Sequence, residues 1–293
     1  MSIFRRAEGP LDDDVRGMRR MLPLLMPGRN EAVVLFEQII DVTKTLAFIE
    51  ERNRARPVKV TLFQIVLAAM LRTFVERPDL NRFVVGGRLR RRAKIEFSFA
   101  VKRSMRDDAG LTTAKVSFEP DDDLDRVGER MYAQVREGKA GKKTTSDVEM
   151  DLITVLPTFL VRWLLALQRW LDERNLMPPS MIRADPLYAS AVFANLGSVG
   201  LDSAYHHLFE YGTCPIFATV GKLKKGVVVG DDGAPVVRDV VSIKFSFDER
   251  ITDGYYCARS LDLFQRYLED PRLLDTARAL PRVDAFSAAL DRA

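Results

Sequence analysis

Histidine and cysteine are the scarce reactive residues of this 293-residue chain, with only His206, His207, Cys214 and Cys257 between them. A closed zinc site would consume all four at once, and their spacing fits no common ligand pattern, so no metal is expected. Two cysteines cannot build a disulfide framework, and a reducing cytoplasm is the expected location. Any general base must therefore be one of two adjacent histidines or a carboxylate. The stretch Met1 to Arg20 lacks the apolar core of a signal peptide. The most apolar run, Leu152 to Leu171, is interrupted by Pro157, Arg162, Gln168 and Arg169, which argues against a bilayer span. No internal repeat or low-complexity linker is present. Neither charge sign dominates: 45 basic against 41 acidic residues give +4, a weak case for nucleic acid.

What is present reads as a single α/β domain. Asn30 to Val42 predicts a strand, and Thr43 to Arg54 a helix capped by Asp41 or Thr43. Thr61 opens a second helix that should stop near Arg77, because Pro78 disfavours helical backbone in the residue before it. Phe83 to Arg90 and Ile95 to Lys102 predict two strands joined through the basic run Arg88, Arg90, Arg91 and Arg92. Ala114 to Phe118 predicts a strand, Asp121 to Glu137 a helix, and Gly138 to Asp147 a mobile loop. Leu152 to Arg174 predicts an amphipathic helix whose stripe includes Phe159, Trp163, Leu167 and Trp170; core packing is its simplest reading. In the last third, Ala191 to Asn195, Ile216 to Lys222, Gly226 to Val229 and Pro235 to Phe247 predict strands. Asp231, Asp232 and Gly233 suit a hairpin turn, and Gly254 to Glu269 predicts a helix ended by Pro271.

Three stretches carry a resemblance. Thr61 to Val101 resembles the helix, the "hPeLN" turn and the following strands of the 2-oxoacid dehydrogenase acyltransferase catalytic domain. Phe193 to Asp202 (FANLGSVGLD) is similar to that family's "SNLG…G" turn. Phe245 to Arg259 (FSFDERITDGYYCAR) resembles its "sfDHRvxDGaxaar" motif, shared in shorter form with chloramphenicol acetyltransferase. The resemblance spans about residues 30 to 271. It implies a chloramphenicol acetyltransferase-like mixed β-sheet flanked by helices. It also implies a homotrimer with active sites between subunits, sometimes stacked into cubic or dodecahedral cages, and coenzyme A or acyl-CoA as substrate. The helix at about 152–174 is then an insertion, and neither a lipoyl nor a peripheral-subunit-binding segment accompanies the catalytic domain.

Two substitutions fall where the family does its chemistry. Glu249 occupies the position of the histidine that acts as general base toward a thiol, a task for which an ordinary carboxylate, titrating near pH ~4.3, is poorly matched. Ala194 stands where many members place the Ser or Thr that steadies the oxyanion. Asp253 and Gly254 keep the end of the motif, and the resemblance gives Asp253 a supporting role, ion-paired to Arg19 or Arg20. Glu249 is then either an unusual base or a partner in a structural ion pair, with Arg250 or with a neighbouring subunit's arginine. His206 and His207 are alternative bases, or merely loop histidines. Arg90, Arg91, Arg92 and Lys222 are candidates for the phosphates of coenzyme A, with solvated surface as the plainer reading. Cys214 and Cys257 read as small buried hydrophobes.

Two functions follow. The first is an acyl-CoA-dependent acyltransferase with a substituted site, its acyl group and acceptor undetermined. The second is a catalytically inactive relative serving as a trimeric scaffold or assembly protein. A peripheral membrane contact led by Trp163 and Trp170 is a lesser third reading.

Overall fold

The computed structural model describes residues 6–54, 57–102, 111–139, 156–230 and 232–276. A seven-stranded mixed sheet organises the chain. It contains β1 (Val33–Asp41), β4 (Ile95–Lys102), β5 (Leu111–Phe118), β6 (Ala191–Asn195), β7 (Ile216–Val220), β8 (Lys224–Val229) and β9 (Pro235–Asp248). The strand order is β1-β9-β7-β6-β4-β5, with β8 pairing on β9 outside that path. The β4–β6 and β6–β7 pairs are parallel and the rest antiparallel.

Alternation along the strands separates two faces. Ile40, Phe97, Phe193, Ala218, Ile243 and Phe245 point into the main core, where the helices pack. The opposite face is more polar: Ser242 donates to Glu37 at 2.8 Å, its hydroxyl meets that of Ser203 at 2.6 Å, and Ser98 donates to the Pro186 carbonyl. The helical layer contains α2 (Thr43–Asn53), α3 (Leu62–Glu76), α4 (Leu124–Lys139) and α7 (Gly254–Glu269). In α3 every residue from Gln64 to Phe74 is buried, so this helix forms the centre of the core. Thr61 caps it by accepting the Gln64 amide, and it stops before Pro78 as its sequence requires. Helix α7 begins and ends where its sequence places it. At the start of α2, Asp41 accepts the Thr43 amide at 2.9 Å.

The structure differs from the sequence reading in three places. Phe83 to Arg90 is not one strand: β2 (Arg82–Val85) and β3 (Arg88–Arg91) form a separate two-stranded hairpin. Gly86 and Gly87 both have positive φ, the backbone that a two-residue hairpin turn needs. A second difference is α1 (Met18–Leu25), a short helix with Pro23 inside it that the sequence reading did not place.

The third concerns the inserted helix, α5 (Thr158–Glu173), which is followed by the short α6 (Pro179–Ala184). Core packing fails for it, since Asp172 is its only buried residue. Phe159 is 75% exposed, Trp163 58% and Trp170 47%. Residues 152–155 and the expected loop at 140–147 lie outside the described residues, as does Asp231 of the hairpin turn. The chain closes with α8 (Arg272–Thr276).

Polar bonds hold α5 to the body. Arg6 reaches Asp172 at 2.7 Å and also donates to its backbone carbonyl, while Gln168 donates to the Tyr211 hydroxyl at 2.6 Å. Gly86 packs so closely on the end of α5 that a Cβ there would lie 2.3 Å from the Glu173 carbonyl oxygen.

Candidate active site

The end of β9, the turn after it and the start of α7 form the best-supported local site. Asp248 is fully buried and takes a bidentate pair from Arg250, Nε at 2.8 Å and Nη2 at 2.7 Å. The remaining Arg250 nitrogen donates to the Met26 and Pro27 carbonyls, tying this turn to the end of α1. Arg29 lies beside the same carboxylate, its Nε 4.0 Å from Asp248. Burial lowers the Arg29 pKa and Arg250 adds to that, while Asp248 pulls the other way.

Asp253 closes the turn. One carboxylate oxygen accepts the Tyr256 amide at 2.7 Å and so caps α7, and the other pairs with Arg19 of α1 at 3.4 Å. Of the two arginines that the sequence offered Asp253, Arg19 is the partner.

Between these anchored residues sits Glu249. Its backbone amide donates to the Ala32 carbonyl at 3.0 Å, and its exposed side chain has no hydrogen bond or ion pair among the described residues. Of the alternatives for Glu249, the ion pair with Arg250 does not form, because Arg250 is committed to Asp248. A rigid turn thus presents one free carboxylate.

Ala194 lies on the polar side of β6, opposite Thr219 of β7, and packs on a small cluster of Val192, Leu208, Cys214 and Phe217. No hydroxyl is available from that side chain. Asn195 caps the turn that follows by accepting the Ser198 amide. The glycines of this motif are structural: a Cβ on Gly197 would approach the Gly221 carbonyl oxygen to 2.6 Å, and Gly200 is left-handed.

The His206 ring stacks on Phe217 with centroids 3.9 Å apart and planes at 8°, and His207 stacks on His206. His206 Nδ1 donates to the His207 carbonyl at 2.7 Å. Ser246, three residues before Glu249, donates to the His206 carbonyl. The histidine pair therefore lies along β9 upstream of Glu249, and Phe217 joins it to the cluster around Ala194. Neither histidine bonds to Glu249.

The basic run is largely consumed internally. Arg92 is buried, pairs with Glu8 and donates to the Thr213 hydroxyl at 2.7 Å. Arg91 bonds both Asp12 and Asp79. Arg90 is buried, donates weakly to the Gly9 carbonyl and keeps an unpartnered Nε. Lys222 stays exposed, while Lys224 and Lys225 pair with Asp202 and Asp239. Glu8 is the residue that sequence reading missed; it lies 84 positions from Arg92 and no local pattern signals it.

Burial alone would raise the Glu8 carboxyl, but Arg92 and Arg6 outweigh it and hold the group below its ordinary value. Asp172 ends above its ordinary value, since its desolvation exceeds the help of Arg6. Both thiols are buried; desolvation pushes Cys257 up to about 12 and Cys214 upward as well, so neither suits nucleophilic work.

A cavity of about 410 Å³ opens beside Arg250, with Leu24 of α1, Gly86 of the hairpin, Tyr188, and Arg169 and Asp172 of α5 in its walls. The inserted helix thereby reaches the neighbourhood of the motif turn. Among the described residues, no cluster of His, Cys, Asp and Glu could hold a metal ion.

Residues 189–275 match the family model of the 2-oxoacid dehydrogenases acyltransferase (catalytic domain). The fold agrees. A probable dihydrolipoamide acetyltransferase from Listeria monocytogenes superposes with a TM-score of 0.58 at 16% identity, covering 88% of this chain and 94% of that one. The cubic core of a pyruvate dehydrogenase multienzyme complex gives 0.58 at 16% identity, over 90% and 94%. The dihydrolipoamide acetyltransferase of Azotobacter vinelandii, studied for the catalytic roles of a serine, a histidine and an asparagine, gives 0.58 at 17%, over 90% and 94%. No curated protein sequence matches the chain. The acyltransferase-like fold places the matched segment where the turn, Ala194 and the paired histidines lie, and leaves α5 outside that segment.

Proposed function

We propose that this protein binds acyl-CoA and transfers its acyl group, with Glu249 in the position of the family's histidine base. One observation carries the reading: Glu249 is free and exposed on a turn whose supports, Asp248 with Arg250 and Asp253 with Arg19, are intact. In the reaction, an acceptor thiol, hydroxyl or amine attacks the acyl carbonyl and the C–S bond to coenzyme A breaks. The acceptor's proton passes through the Glu249 carboxylate to the departing thiolate. Glu249 is a weaker base than histidine for this task, and Ala194 supplies no oxyanion hydroxyl. Loss of such a donor typically costs about 100- to 1,000-fold, so slow turnover is expected. Lys222, exposed and without an ion pair, suits a coenzyme A phosphate better than Arg91 or Arg92, which are already engaged.

The motif resemblance implies a homotrimer with active sites between subunits, and the similarity to a cubic core is compatible with further stacking of such trimers. A second reading has its own support. The serine and histidine studied in the Azotobacter enzyme are the residue types missing at Ala194 and Glu249, which favours a scaffold of the same fold.

A thermal-shift titration with coenzyme A and acyl-CoA of increasing chain length separates the two. Ligand at about 100 times its dissociation constant stabilises the folded state by about 2.7 kcal/mol, which appears as a rise of a few degrees. A shift followed by acyl transfer that Glu249→Gln abolishes supports the enzyme. No shift with any donor leaves the scaffold. Appearance of transfer only in the Glu249→His, Ala194→Ser double variant also assigns the native chain to the scaffold.

A further inference from the structure

We propose that α5 is a membrane-surface anchor which seats its tryptophan face in the headgroup region of an anionic bilayer. The reading is independent of acyl-CoA binding. It begins with an inversion. An ordinary surface helix turns its apolar stripe to the core, but α5 turns Gln168 and Asp172 inward, with Leu171 packed beside them on Met177, Ile182 and Tyr188, and leaves its tryptophan line outward. Gln168 and Asp172, four apart, face the body and hold Tyr211 and Arg6. Trp163 is nine residues from Asp172, hence about 180° around the helix. With it run Phe159, Leu167 and Trp170, spaced 4, 4 and 3 residues apart and all exposed.

The charges on this helix select the occupant. Arg162 and Arg169, each one residue before a tryptophan, are exposed and form no ion pair among the described residues, Arg169 at the rim where α5 meets the cavity beside Arg250. Arg174 lies over the Trp170 ring at 4.2 Å. Against these three cations stands one exposed carboxylate, Glu173, because Asp172 is buried against Arg6. Bulky aromatics that seat at the headgroup level, flanked by arginines that meet lipid phosphate, match an anionic interface. A second copy of the chain would have to supply carboxylates opposite the same arginines.

Helix α5 lies on the bilayer and does not cross it. Its 16 residues span about 24 Å, against about 30 Å of hydrocarbon. Among the described residues no helix is long and apolar enough for a crossing.

Trp163 and Trp170 are the only tryptophans in the chain, so selectively excited tryptophan emission reports on this helix alone. Vesicles of phosphatidylcholine with phosphatidylglycerol should shift the emission to shorter wavelength and carry the protein upward in flotation. Pure phosphatidylcholine should do so at least 10-fold less well, and added salt should release the protein. The Arg162→Glu, Arg169→Glu double variant keeps both reporters and should lose vesicle binding with an unchanged far-ultraviolet spectrum and melting temperature. Absence of both shift and flotation overturns the proposal. Short-wavelength, quencher-resistant emission before any lipid is added, with a sedimentation coefficient that falls in Trp163→Ser, also overturns it and assigns the face to a second copy.

Discussion

Helices α3 and α5 have 15 and 16 residues and are both mostly apolar, with three and five leucines, yet their surroundings are opposite. The first is buried from Gln64 to Phe74; the second buries only Asp172. The difference lies in which residues have partners. Helix α3 offers mainly apolar side chains to a sheet face that is itself apolar, so hydrophobic burial holds it. Helix α5 meets the body through Arg6, which takes both the Asp172 carboxylate and its carbonyl, through the Tyr211 hydroxyl, and through Leu171 on the Tyr188 cluster, and these contacts set its rotation. Apolar content alone did not decide which helix is inside.

Phe74→Ala should give the largest effect, a loss of about 3–5 kcal/mol in urea unfolding, since the side chain is fully buried against Phe97. Arg6→Ala comes next, at about 3 kcal/mol, because it leaves Asp172 and Glu8 without their shared buried cation. Hydrogen exchange should then quicken in α5 and stay slow in α3; uniform quickening would erase the distinction between the two helices.

Acid titration sharpens the same contrast. The native Glu8 pKa lies below its ordinary value near 4.5, so in that interval the unfolded chain binds more protons. Its stabilisation is fully present above about pH 4.5 and is lost as pH falls through the lower native value. Glu8→Gln should flatten that part of the stability–pH curve, which is readable from melting temperatures between about pH 3 and 6, a range that brackets that ordinary value. Asp253→Ala removes the α7 cap and should cost about 1 kcal/mol, its exposed pair with Arg19 adding little. Leu167→Ala on the outer face of α5 should stay within about 0.5 kcal/mol. A loss as large as that of Phe74→Ala would mean that α5 is covered in the folded protein.

Much of the fold was legible because its signals are local. Thr61 and Pro78 bracket α3, Pro271 ends α7, and β-branched and aromatic residues mark β1. Gly86 followed by Gly87 did signal the hairpin, but the surrounding apolar and basic run read as one strand. Helix α1 was hidden because it is only eight residues long, carries Pro23, and buries that residue alone. In the site, the link between Asp253 and an arginine of the N-terminal region was legible by resemblance. The fate of Arg90 and Arg92 was not, since their burial depends on Glu8, Gly9 and Thr213, each far away in sequence.

The sequence by itself determined the core helices, most strands, the turn residues and the two substitutions at 194 and 249. Those features depend on side-chain type and near neighbours. Tertiary structure alone decided that Arg250 would pair with Asp248 and leave Glu249 free, that Arg92 would be buried with Glu8, and that α5 would turn its tryptophans outward. Each of these is a choice among competing partners, and the choice goes to groups that the folded backbone places within hydrogen-bonding distance once water is excluded.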